Sequence, residues 1–193
     1  AVAGAAGRMT VDGHAVELRP GQSILEAALD AGVYIPHICA HRDLHPAGVC
    51  RLCVVEVEGR DGVVTSCNTQ AEDGMVVRTD TEQVKRLRRL AAELLLANHP
   101  AECTGCPVYL NCELQSLMQY LEFTDARIRK RKNLTAPIES NPLLLHDMIR
   151  CILCGRCVRA CPEWRGVSAI TFVKKGDNYV IGTPNGESLA DAG

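Results

Sequence analysis

The sequence predicts an α+β chain, and three observations carry that expectation. Short β-type runs separated by Asp-Gly and Pro-Gly turns flank one capped helix within the first 79 residues. Two longer stretches with helical periodicity follow, from 80 to 98 and from 113 to 123. The third observation is that 193 residues hold 11 cysteines, while only 4% are aromatic and 47% are hydrophobic. With so few large side chains to fill a core, and so many thiols, the chain is expected to be organised in part by metal.

The first element is a β-hairpin: Thr10-Val11, an Asp12-Gly13 turn, then Ala15-Val16-Glu17-Leu18, closed by Pro20-Gly21. Ser23 and Glu26 form a capping-box pattern for a helix over Ile24–Leu29, which Gly32 stops. A long loop from Pro36 to Cys50 leads to strands at Val54–Glu58, at Val63-Val64-Thr65 after an Asp61-Gly62 turn, and at Met75–Arg78. Asp80 with Gln83 is the expected cap of a helix running to Asn98. Its apolar side carries Val84, Leu87, Ala91, Leu94 and Leu95, with Arg86, Arg88 and Arg89 largely elsewhere. A second helix over Glu113–Phe123 puts Leu114, Leu117, Met118 and Leu121 on one face. Residues 124–142 are polar, with the basic run Arg127, Arg129, Lys130, Arg131, Lys132, and read as a linker. Beyond it lie a cysteine run, a strand at Ala169–Val173, a Lys175–Asn178 turn and a strand at Tyr179–Ile181.

Several function classes are excluded or disfavoured by the same inventory. A net charge of −2 gives no support for broad nucleic-acid binding. No tract reaches the roughly 18 apolar residues of a transmembrane helix. No G-x-G-x-x-G or P-loop pattern appears, so nucleotide or flavin would sit on another chain. No paired-carboxylate or nucleophile pattern marks a catalytic residue. The Ala-rich start lacks the basic and apolar regions of a signal peptide, Met9 stands as a candidate native start, and a cytoplasmic setting is expected. An odd cysteine count in a reducing compartment argues for metal ligands over disulfides.

The cysteines fall into three sets. The first is Cys39-x10-Cys50-x2-Cys53-x13-Cys67. Four thiolates from one long loop and one remote position favour a 2Fe–2S centre over a zinc ribbon, which brings two C-x2-C pairs. Gly48 suits a loop whose backbone must approach sulfide closely. The second set is His99-x3-Cys103-x2-Cys106-x5-Cys112, and its spacing suits zinc and iron–sulfur about equally. The third, Cys151-x2-Cys154-x2-Cys157-x3-Cys161-Pro162, matches the bacterial 4Fe–4S run. In that run the fourth cysteine serves the other cluster of a pair, and Gly155 lets the backbone pass near sulfide. Four, three and four cysteines account for all 11, with His99 completing the middle set. His14, His37, His41, His45 and His146 have no ligand spacing; His37, His41 and His45 flank the first loop and are expected at the surface or against the ligands.

In this order the sets resemble the N-terminal iron–sulfur region of the complex I large subunit, and more closely that of NAD(P)-linked hydrogenases and formate dehydrogenases. The phrases that carry the resemblance are Gly32-Val33-Tyr34-Ile35-Pro36-His37-Ile38-Cys39, His99 to Cys112 with Glu113-Leu114-Gln115, and Arg150-Cys151 through Cys161. It implies a 2Fe–2S β-grasp domain over 9–79, a small helical 4Fe–4S domain over 80–123 with His99 as a ligand, the linker 124–142 and a ferredoxin-like 4Fe–4S segment over 143–193. One departure goes with it. Relatives continue with a second C-x2-C-x2-C run where this sequence stops at Gly193. The expectation is therefore a truncated chain, or ligands supplied by a partner, with Cys161 either serving a further cluster or recruited locally.

The resemblance implies an electron-transfer subunit, with one 2Fe–2S and two 4Fe–4S clusters relaying single electrons between a flavoprotein NAD(P)H-oxidising subunit and a catalytic hydrogenase or dehydrogenase subunit. Two other readings stand beside it: a zinc-stabilised binding module, which would be colourless, and a free-standing ferredoxin-like carrier, which would be isolated as a monomer.

Overall fold

The computed structural model describes residues 7–97, 99–124, 127–128, 139–141 and 144–186. The expected hairpin forms from β1 (Arg8–Val11) and β2 (His14–Glu17), with Val11 opposite His14 across the Asp12-Gly13 turn. Asp12 does more than turn the chain. Its carboxylate accepts from the Thr79 amide at 2.7 Å and the Thr79 hydroxyl at 2.5 Å, tying the hairpin to the end of β5 (Val76–Arg78). β5 lies parallel to β1 and antiparallel to β3 (Val54–Val57), which pairs with β4 (Val64–Thr65). The resulting mixed sheet has the order β2-β1-β5-β3-β4.

Helix α1 (Ile24–Asp30) crosses this sheet, and both arms of its capping box are made: Ser23 Oγ accepts from the Glu26 amide, and Glu26 accepts from the Ser23 amide. Its Ile24, Leu25, Ala27 and Ala28 are buried with Met9, Val11, Val16, Val55 and Val77 in one core. A second core joins the first cysteine loop to two helices, through Ile38, Leu52, Ala91, Ala92, Leu114 and Leu117.

Those helices are α2 (Glu82–Leu96) and α3 (Glu113–Tyr120). The α2 cap is Thr81 rather than Asp80. Thr81 Oγ1 accepts from the Val84 amide at 3.2 Å and donates to Glu56 on β3 at 2.9 Å, while Asp80 pairs with Lys85. A long-range acceptor thus decides between two neighbouring candidate caps. The expected end of the helix, Asn98, lies outside the described residues. Two side chains also exchange faces relative to expectation: Leu94 is exposed, whereas Arg88 is buried. Arg88 donates from Nε to Leu52 O, from Nη1 to Thr79 O and from Nη2 to Val54 O, at 2.9–3.0 Å, so three strand and loop carbonyls satisfy its guanidinium. Burial lowers its pKa from the ordinary arginine value.

Most of the linker, with Arg129, Lys130, Arg131 and Lys132, lies outside the described residues. Within it Arg127 forms a bidentate pair with the buried Glu93 of α2, at 2.8 and 3.0 Å. A short hairpin, β6 (Glu139–Asn141) with β7 (Leu144–His146), then precedes the third cysteine set. That set runs into α4 (Arg156–Arg165), an element the spacing alone did not indicate. The hairpin of β8 (Thr171–Lys175) and β9 (Asn178–Gly182) packs against the cysteine run through Val173, Val180 and Ile181. Among the described residues, no helix is long and apolar enough to cross a membrane.

Candidate metal centres

None of the 11 cysteines is in a disulfide. The first set is the most enclosed, since Cys39, Cys50, Cys53 and Cys67 are all buried. Cys53 and Cys67 belong to the sheet core, whereas Cys39 and Cys50 belong to the core shared with α2 and α3. The four thiols therefore meet at the seam between two independently packed units. They approach as two pairs. The Cys53 and Cys67 sulfurs stand 3.4 Å apart, and the Cys50 amide donates to Cys39 Sγ at 3.5 Å. Hydrogen bonds from its partner thiol and from the Cys50 and Val49 amides bring Cys39 down to about 6; the Cys67 thiol and amide bring Cys53 down to about 7. Cys50 and Cys67 are pushed up, because each donates its proton within its pair and is buried. Hydrogen bonding within each pair thus favours a thiolate on one member, the form that binds metal.

Local backbone geometry explains how the loop delivers these groups. Gly48 has φ of +62°, and a Cβ there would stand 2.8 Å from the Asn68 amide nitrogen. Glycine adopts this φ without strain and leaves room for the Asn68 side chain, which a Cβ would force to move. Arg51 adopts a left-handed φ of 57° between Cys50 and Cys53, which reverses the chain inside the C-x2-C pair. Beside the cage, the Ser66 hydroxyl is buried and helps to hold the Cys53 thiol down. A buried hydroxyl, convergent thiols and amides aimed at sulfur fit an iron–sulfide group, whose bridging sulfides accept such donors.

The second set and the first two cysteines of the third share one cavity of about 1050 Å³, whose walls include His99, Cys103, Cys106, Cys112, Cys151 and Cys154. That is the upper end of the roughly 300–1000 Å³ typical of small-molecule and cofactor sites. After α2, consecutive turns wrap the second set. The Cys106 amide donates to Cys103 O at 2.9 Å, and the Tyr109 amide to Cys106 O at 3.0 Å, before Cys112 opens α3. His99 Nδ1 lies 2.9 Å from Pro100 O. A carbonyl partner requires the proton on Nδ1, so Nε2 is the nitrogen that would hold a metal. Arg150 pairs with Asp147, and its guanidinium is raised first by that hydrogen bond and also by the adjacent Cys106 thiolate.

In the third set, the Leu153 amide donates to Cys151 Sγ at 3.4 Å, with Leu153 itself at φ 56°. Gly155, at φ +71°, caps α4, and a Cβ on it would meet the Phe172 ring at 3.1 Å. Cys157 is exposed as a residue, yet partial burial and the neighbouring charges of Cys154 and Cys151 raise its thiol. Cys161 lies one turn further along α4, half-buried.

Helix α4 also closes onto the first loop, through residues that ligand spacing did not single out. Arg156 donates to Ala40 O at 2.9 Å and forms a bidentate pair with Glu113 at 2.5 and 2.8 Å. Arg159 donates to the carbonyls of Cys39 and His45, and the Trp164 indole donates to Asp43 O at 2.9 Å. His41 and His45 are engaged in this contact. The His41 ring stands edge-on to Trp164, and Glu163 accepts from the His45 amide at 2.8 Å. His37 instead turns its Nδ1 to Ile35 O at 2.8 Å.

Comparison with known proteins follows the same three-part division. Family models match residues 6–82 as a 2Fe-2S iron-sulfur cluster binding domain, and residues 88–127 as the NADH-ubiquinone oxidoreductase-G iron-sulfur binding region. Residues 141–192 match the ferredoxin-like domain of NADH-quinone oxidoreductase subunit 3. A chain in the crystal structure of an NAD+-reducing [NiFe]-hydrogenase in the H2-reduced state superposes with a TM-score of 0.85 at 36% identity, covering 97% of this chain and 79% of that one. The chain belongs to the iron–sulfur family that unites the complex I large subunit with NAD+-reducing hydrogenase. Within that family it is 37% identical over 186 residues to the NADPH-Fe(3+) oxidoreductase subunit alpha of Geobacter sulfurreducens, covering 94% of this chain. It is 38% identical over 177 residues to the mitochondrial NADH-ubiquinone oxidoreductase 78 kDa subunit of Candida albicans, covering 91%. It spans 21% of the length of the first of these relatives and 25% of the second. The α+β fold is that of the family, with a 2Fe–2S binding region followed by 4Fe–4S binding regions.

Proposed function

We propose that this chain is an electron relay. Cys39, Cys50, Cys53 and Cys67 hold a 2Fe–2S cluster; His99, Cys103, Cys106 and Cys112 hold a 4Fe–4S cluster; and Cys151, Cys154 and Cys157 hold a second, with Cys161 as a local fourth ligand or a ligand to a further cluster. Such clusters supply reversible one-electron storage over potentials of about −700 to +450 mV. The observation that carries the reading is continuity. The second set lines one cavity with Cys151 and Cys154 of the third, and α4, which starts within the third set, rests on the loop of the first. Three sites in mutual contact suit conduction, whereas a zinc-stabilised module has no need to bring its sites together.

The reading extends to domains at 9–79, 80–123 and 143–193, a cytoplasmic setting, and partners that oxidise NAD(P)H through flavin and reduce or oxidise substrate on a catalytic hydrogenase- or dehydrogenase-type subunit. Relatives named as subunits of NADH- and NADPH-linked oxidoreductases and of an NAD+-reducing hydrogenase support it. Anaerobic purification in the native complex, with acid-labile sulfide assay, EPR and identification of co-purifying chains, is the test. Expected are iron and sulfide in cluster stoichiometry, distinct 2Fe–2S and 4Fe–4S signals, and a flavoprotein partner. Zinc without sulfide would overturn the relay, and a stable monomer would replace the fixed subunit with a free carrier.

A further inference from the structure

The third set sends two arginines to its neighbours: Arg150 to the second set and Arg156 to the first. Arg156 is the better defined. It is the first residue of α4, directly after the Gly155 cap, so its direction is set by the helix start. One Nη reaches Ala40 O, next to Cys39, and both Nη groups engage the Glu113 carboxylate next to Cys112. Its Nε is buried without a hydrogen-bond partner among the described residues, and the side chain forms part of the wall of the cavity lined by Cys151 and Cys154. A single guanidinium on the helix of the third set, partly buried at 25% side-chain exposure, is therefore bonded to the neighbour of Cys39 and to the neighbour of Cys112.

We propose that Arg156 is a positioning residue which holds a fixed positive charge between the first and third centres and sets the reduction potentials of both. The inference rests on the cluster assignment above. A cation stabilises the more negative, reduced state of a neighbouring cluster, and the effect is strong where solvent screening is weak. The charges of the Cys154 and Cys39 thiolates both act on this guanidinium in the expected sense, after the larger effect of Glu113. Glu113 opposes the same field, so the pair works as a trimmed charge: its arginine raises the potentials and its glutamate moderates them.

The experiment is redox-titrated EPR on anaerobically purified holoprotein in its native complex, with Arg156→Gln, Arg156→Lys and Glu113→Gln. Arg156→Gln is expected to lower the midpoints of the first and third centres. Arg156→Lys, which keeps the charge but not the fork, should restore more than half of that shift. Glu113→Gln should move both midpoints upward. A purely structural clamp would give the same sign, or cluster loss, for Arg156→Gln and Glu113→Gln, because both break one ion pair. That result overturns the proposal, as do unchanged midpoints in Arg156→Gln with intact clusters. If Arg156→Gln fails to assemble, opposite shifts in the other two variants still decide for it and equal signs against it. Absence of cluster signals in the unaltered protein would instead refute the relay reading.

Discussion

The first and third thiolate sets solve the same problem in different ways. The first is a cage made by packing: all four thiols are buried, two in the sheet core and two in the core beneath α2, with amides and a positive-φ glycine directing them. The third is a loop and one helix turn, with Cys157 exposed and the rest half-buried. It rests on a small core of Met148, Val180 and Ile181. The fold holds the first site in shape by itself, whereas the third leans on whatever its thiolates bind and on its arginine contacts with neighbours. Ligand binding and folding are coupled where apolar burial is thin.

Iron removal is the largest way to test that contrast. Anaerobic chelation followed by amide hydrogen exchange should strip protection from residues 99–123 and 147–165 while the sheet strands at 8–17, 54–57 and 76–78 keep most of theirs. Uniform loss across all segments would show that the first cage depends on metal as much as the third. Next in size is Arg88→Met, which leaves the carbonyls of Leu52, Val54 and Thr79 buried without a donor. The expected loss is about 3 kcal/mol, read as a roughly hundredfold fall in exchange protection around residues 50–54 of the holoprotein. The third site, joined to that loop through α4 and the packing of Ile152 and Cys154, should lose less, and an equal loss there would show that the two regions unfold as one.

Much of this architecture was legible in the sequence because it is set by rules acting over a few residues. The Asp12-Gly13 turn, the Ser23/Glu26 box and the Leu114/Leu117 face form as expected, since turn, cap and helical period are local. The hidden features are settled at long range. Thr81 displaces Asp80 as cap because Glu56 on a distant strand accepts its hydroxyl proton. Arg88 looked like a solvated charge until the fold supplied three carbonyls. Helix α4 and its arginines were concealed by the cysteine spacing itself, which draws the eye to ligands. Yet a glycine followed by Cys157 and Cys161 four apart was a cap-and-helix signal that also places Arg156 and Arg159 near one face.

Gly48→Ala sharpens the contrast from the side of the first cage. A methyl group there is strained at φ +62° and collides with the Asn68 side chain, a penalty of about 1–3 kcal/mol. The 2Fe–2S EPR signal should lose intensity while the 4Fe–4S signals persist. Equal loss of all signals would mean the loop is not a separable unit.

The smallest expected effect concerns the middle set, which sits between these extremes because it is enclosed by its own turns yet shares a cavity with the third. His99 presents Nε2 by donating Nδ1–H to Pro100 O. On the proposed ligand set, a neutral His99 leaves the second centre one negative charge short of an all-thiolate one, so the reduced state is less disfavoured. His99→Cys should preserve the fold, since the substituted residue follows the last turn of α2 and its backbone amide still donates to Leu96 O. It should shift the second centre's midpoint downward in redox-titrated EPR, with the shared cavity carrying a weaker downward shift to the third centre and a still smaller one to the first. A raised or unmoved second midpoint would remove His99 from the ligand set. Equal shifts at all three centres would show that the first cage is no more insulated from its neighbours than the third.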